Sequence, residues 1–89
     1  MGFASILHSF NNPTPLHPGV VLQEVYMAEM GLNQSTLAAR LGCSPRKINE
    51  IVNGKRAITA EFALQLESTL KTSASMWVRM QAEYDLFKA

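Results

Sequence analysis

The stretch NQSTLAARLGCSPRKINEIVNGKR, residues 33–56, decides the fold. It reads as two short helices and the turn between them. Asn33 is an N-cap in front of an inward stripe of Leu37, Ala38 and Leu41, and Gly42 stops that helix. Ser44 caps a second helix with Pro45 at its first position, where a missing N–H costs nothing. Ile48, Ile51 and Val52 face inward along this second helix. Asn53 and Gly54, residue types that tolerate the left-handed region, close it. Small Ala38 lets the two helices approach, and the pair matches a helix-turn-helix unit.

The same stretch concentrates the positive charge. Residues 31–60 hold Arg40, Arg46, Lys47, Lys55 and Arg56 against Glu50 alone, a local net charge of +4 in a chain whose total is only +1. The remainder is therefore net −3, and a cationic patch sits on an otherwise acidic molecule. In helix-turn-helix geometry the second helix enters the major groove of DNA with its N-terminal residues at the base edges. Pro45, Arg46, Lys47, Asn49 and Glu50 then point outward. Arg46 is suited to a bidentate guanine contact and Asn49 to an adenine edge. Gln34 stands where a helix N-terminus offers free N–H groups to a phosphate. Asn53, Lys55 and Arg56 follow the reading helix and suit the sugar–phosphate backbone. Glu50 is read as orienting Arg46 at i+4 rather than as a DNA contact.

Outward from this unit, the remaining sequence supplies a frame of further helices. Helix 1 begins near Pro18, with Leu22, Val25, Tyr26 and Met30 at helical spacing, and ends at Gly31. Thr59 caps helix 4, whose stripe is Phe62, Ala63, Leu66 and Leu70. Ser73 caps helix 5, where Met76, Met80, Tyr84 and Phe87 form a stripe beside Trp77. No strand pattern is present, so an all-α fold of about five helices is expected. At 89 residues the chain holds one domain. Residues 1–16 read as a flexible or peripheral N-terminal arm, because NNPTPLHPG breaks any helix before it, and residues 17–89 read as the helix-turn-helix domain with its C-terminal helix.

Other function classes find little support. His8 and His17 have no Cys, Asp or Glu at metal-ligand spacing, and His17 before Pro18 reads as a helix-entry residue. Ser44 and Ser73 lack a partner base and read as caps, so neither an enzyme nor a cofactor is expected. The lone Cys43 rules out an intramolecular disulfide and reads as a packed turn residue. There is no signal peptide and no apolar run of the roughly 20 residues a membrane span needs, so a cytoplasmic location is expected. Helix 5 carries more apolar side chains (Met76, Trp77, Met80, Tyr84, Leu86, Phe87) than one narrow stripe buries, which points to a pairing surface.

HPG at 17–19, LAARLG at 37–42, INEIVNGKRAITAEFALQL at 48–66 and MWVRMQAEYDL at 76–86 together resemble the HigA antitoxins, over roughly residues 16–88. These are lambda-repressor-like helix-turn-helix proteins of bacterial toxin–antitoxin pairs. The resemblance implies a homodimer that represses its own operon by binding double-stranded operator DNA and that neutralises a HigB-type mRNA interferase toxin. By position, Gln34, Ser44, Pro45, Arg46, Lys47, Asn49, Asn53, Lys55 and Arg56 match the DNA-facing set. Trp77, Met80, Gln81, Tyr84 and Leu86 match the C-terminal helix through which such proteins pair. Val20 departs from the pattern where an acidic residue is common, and Cys43 where an aliphatic one is common. A stand-alone repressor with no toxin partner carries the same helix-turn-helix and is the alternative reading.

Overall fold

The computed structural model describes residues 14–89, and its helices begin where side chains can accept hydrogen bonds from otherwise unpaired backbone N–H groups. Helix α1 is one continuous run made of a first turn Pro18–Val21, a π-helical stretch Leu22–Met27 and a last turn Ala28–Met30. Helix α2 spans Gln34–Leu41, α3 Pro45–Val52, α4 Ala60–Leu70 and α5 Ala74–Lys88. The described residues are thus all-helical in five helices, as the sequence predicts. The arm assigned to residues 1–16 falls outside the described residues up to position 13, whereas Leu16 packs against the core.

The caps explain these boundaries. Asn33 Oδ1 accepts from the Thr36 N–H at 2.8 Å while Thr36 Oγ1 accepts from the Asn33 N–H at 2.9 Å, a reciprocal capping box. Ser44, Thr59 and Ser73 each accept from the backbone N–H three residues on. Each such cap contributes about 1 kcal/mol. Gly31 and Gly42 terminate α1 and α2 with positive φ of 64° and 72°. Lys71 ends α4 in the same left-handed conformation, at φ 60°, without glycine's freedom.

Leu22, Leu37, Ile48, Ile51, Phe62, Leu66 and Trp77 are fully buried and bring all five helices into one core. Trp77 anchors α5: its ring lies 5.4 Å from Tyr26, and its indole N–H donates to Thr72 Oγ1 at 2.7 Å. Two expectations require correction. Met30, read as inward, is 44% exposed, while Val21 and Met27 are buried instead. The cause is the π-helical stretch, in which the Ala28 N–H reaches back five residues to the Gln23 carbonyl and shifts the phase of the apolar face. Trp77 and Gln81, grouped with a pairing surface, are buried inside the monomer, where the tryptophan fills the core and the glutamine satisfies a backbone donor.

Candidate nucleic-acid interface

The outer face of α3 begins at a well-defined N-terminus. Ser44 Oγ accepts from the Lys47 N–H at 3.2 Å, and Pro45 occupies the first helical position. Ile48, Ile51 and Val52 tie one side of α3 to the core, which leaves Pro45, Arg46 and Asn49 exposed on the other. The Arg46 side chain is 86% exposed. Lys47 differs from the outward reading: it is half-buried, with Nζ 4.7 Å above the centre of the Phe62 ring. This cation–π contact joins α3 to the start of α4. Gln34, the first residue of α2, is half-buried beside the capping box.

Glu50 organises the charge on this face. Its two carboxylate oxygens accept from Arg46 Nε at 3.2 Å and from Arg56 Nε at 2.9 Å. The hydrogen bond from Arg56, followed by the contribution of Arg46, holds the Glu50 carboxyl below its ordinary pKa range against some desolvation. The i+4 pairing with Arg46 follows from helical spacing and matches the sequence expectation. The pairing with Arg56 depends on the turn after α3 and carries no sequence signal.

That turn is held from several sides. Asn53 donates through Nδ2 to the Asn49 carbonyl at 2.9 Å, so its side chain caps α3. Gly54 adopts a positive φ of 73°, and the Lys55 N–H donates to the Glu50 carbonyl at 2.8 Å. Lys55 and Arg56 are exposed. Farther along, the buried Ile58 N–H donates to Gln81 Oε1 on α5 at 2.8 Å, and Gln81 Nε2 donates to Asp85 at 2.9 Å. His17 caps α1 by accepting from the Gly19 N–H through Nδ1 at 2.9 Å, and its ring stacks edge-on with Tyr84 at 4.9 Å. Gly19 permits the closest approach in this region: a Cβ there would stand 1.8 Å from the Ile51 carbonyl oxygen. The beginning of α1 therefore packs against the C-terminal end of α3, and the middle of α5 holds the loop that follows it. Sequence reasoning did not assign Gln81, His17 and Gly19 this positioning role; a glycine immediately after a helix-entry His-Pro is the one local hint.

The sites read from sequence thus divide. Arg46, Asn49, Lys55, Arg56 and Pro45 share the exposed surface around α3, while Ser44 and Asn53 occupy it with side chains engaged in capping. On α5, Leu86 and Phe87 are 76% and 54% exposed, Val78 joins them at 41%, and Met76, Met80 and Tyr84 are half-buried.

Two short helices about a glycine turn, the second anchored by an isoleucine face and presenting arginine and asparagine outward, define a lambda-repressor-like helix-turn-helix protein. Residues 23–77 match the HTH_3 helix-turn-helix family, and the chain belongs to that family. It is 45% identical over 76 residues to virulence-associated protein I of Dichelobacter nodosus, covering 85% of this chain and 70% of that one. The Pseudomonas aeruginosa antitoxin HigA, solved with the higBA promoter, superposes with a TM-score of 0.80 at 35% identity, covering 83% of this chain and 80% of that one. PA4674 of the same organism, solved with an 18-base-pair operator, gives 0.77 at 36% identity over 81% of this chain and 77% of that one. The likeness to HigA antitoxins read from sequence motifs extends to the fold. Among the described residues no helix is long and apolar enough to cross a membrane.

Proposed function

We propose that the chain is an antitoxin that represses its own toxin–antitoxin operon, binding operator DNA as a two-fold dimer and neutralising a HigB-type mRNA interferase. The carrying observation is the exposed face of α3, with Arg46 and Asn49 outward and Arg56 beside them. This face belongs to a fold shared with an antitoxin solved on its promoter. In this reading α3 lies in the major groove, with Arg46 on a guanine and Asn49 on an adenine. Lys55 and Arg56 hold the backbone, and Gln34, Ser44, Pro45, Lys47 and Asn53 line the approach. The exposed Leu86 and Phe87 at the end of α5 pair two copies. The toxin assignment is supported by the antitoxin names of the structural relatives.

The test titrates wild type and Arg46→Ala against a duplex from the promoter of the chain's own gene, and co-expresses the wild type with the adjacent reading frame. Arg46→Ala is expected to weaken operator binding by about 1–3 kcal/mol per half-site and to relax preference at one base pair. Wild-type co-expression is expected to restore growth that the neighbouring gene arrests. Unchanged affinity and preference in Arg46→Ala would remove α3 from base reading. DNA binding without growth rescue would leave a stand-alone repressor.

A further inference from the structure

Residues 31–60 carry a single carboxylate among their cations, Glu50, and that carboxylate is doubly occupied. Glu50 Oε2 accepts from Arg46 Nε at 3.2 Å and Oε1 from Arg56 Nε at 2.9 Å. Both bonds use Nε, so neither ion pair draws on the terminal guanidinium nitrogens, the atoms suited to a guanine edge or a phosphate. The Glu50 side chain is 26% exposed, whereas those of Arg46 and Arg56 are 86% and 50% exposed, so the acid sits beneath two outward-facing bases. Exposed ion pairs of this kind add little to folding stability. A negative charge on a DNA-facing surface also opposes every phosphate it approaches. Fold stability therefore does not account for the carboxylate, and non-specific affinity is reduced by it.

We propose that Glu50 is a specificity-determining residue: it positions Arg46 and Arg56 by their Nε atoms and opposes phosphate contacts made without the matching bases. The proposal rests on the reading of α3 as a DNA-reading helix. On an arbitrary duplex the Glu50 charge offsets part of the patch and nothing compensates. On the operator the two oriented guanidiniums make their contacts without first having to be ordered, and binding survives the same repulsion. Charge and geometry act through one side chain, and two substitutions weight them differently. Glu50→Gln removes the charge at nearly constant shape and, with one acceptor oxygen left, keeps at most one of the two arginine bonds. Glu50→Asp keeps the charge but shortens the arm that spans both arginines.

The experiment measures binding of wild type, Glu50→Gln and Glu50→Asp to the promoter duplex and to a scrambled duplex of equal length across a salt series, with circular dichroism melts on the same samples. Glu50→Gln is expected to bind the scrambled duplex more tightly, with a salt slope steeper by about 0.9. Its promoter-to-scrambled affinity ratio should fall at least about fivefold, roughly 1 kcal/mol, with the melting curve unchanged. Glu50→Asp is expected to leave scrambled binding as in wild type and to weaken promoter binding alone. A wild-type ratio in Glu50→Gln, or wild-type promoter affinity in Glu50→Asp, overturns the proposal while leaving the DNA-reading role of α3 intact. A wild-type protein that does not distinguish the two duplexes overturns both.

Discussion

His17 meets three parts of the chain at once. Its Nδ1 accepts from Gly19 at the start of α1, its ring rests on Tyr84 of α5, and a Cβ added at Gly54 beyond α3 would meet that ring at 3.7 Å. The accepting Nδ1 must be unprotonated for the cap to hold. Burial pushes the imidazole pKa below its ordinary value, and nearby Asp85 offsets this only in part. The unfolded chain therefore binds this proton more readily than the native one. Stability from neutral His17 is fully present above the ordinary histidine pKa of about 6.5 and is lost as pH falls through that value toward the lower native one. Asn at the same position keeps a capping acceptor but does not titrate. Thermal melts at about pH 8 and about pH 5.5 should show a larger acid loss in wild type than in His17→Asn. Parallel losses in the two proteins would remove His17 as the source.

Among elements, legibility follows the range of the forces. Asn33, Ser44, Thr59 and Ser73 cap their helices through atoms three residues away, so the starts of α2 to α5 are readable in sequence. The buried faces of α2, α3 and α4 are readable for the same reason, since a regular helix keeps its phase. Helix α1 does not keep it. A fixed helical spacing places Met30 inward and passes over Val21 and Met27, because nothing local announces the π-helical stretch Leu22–Met27. The outer face of α3 shows the same division: Glu50 and Arg46 meet one helical turn apart, whereas Arg56 arrives through the geometry of the following turn. On α5, counting apolar residues predicts a surplus but does not say which are surplus. Trp77 and Gln81 answer to distant partners, Tyr26 and Ile58, and are withdrawn from the surface.

At the scale of the whole molecule, the proposed reading of DNA by α3 calls for a second copy. A single helix-turn-helix contacts few bases, and tight operator binding takes two reading helices about one turn of DNA apart, roughly 34 Å. Leu86 is the cleanest point of attack, because at 76% exposure it contributes little to the monomer core, unlike half-buried Met80. Leu86→Asp is expected to give a folded helical monomer by sedimentation, with operator affinity reduced at least about tenfold, about 1.4 kcal/mol. A variant that remains dimeric and binds normally would place the pairing surface elsewhere.

The hydrogen bond from the Ile58 N–H to buried Gln81 also bears on how the molecule opens. Loop amides ordinarily exchange their protons with solvent freely, whereas this one is sealed under α5, at a residue only 3% exposed. Its deuterium uptake is therefore governed by the detachment of the last helix and not by loop breathing. Followed by NMR, Ile58 should exchange on the timescale of the α5 core while the exposed Arg56 nearby exchanges fast. That single amide then times the undocking of α5, with its exposed Leu86 and Phe87, from the turn that carries the cations.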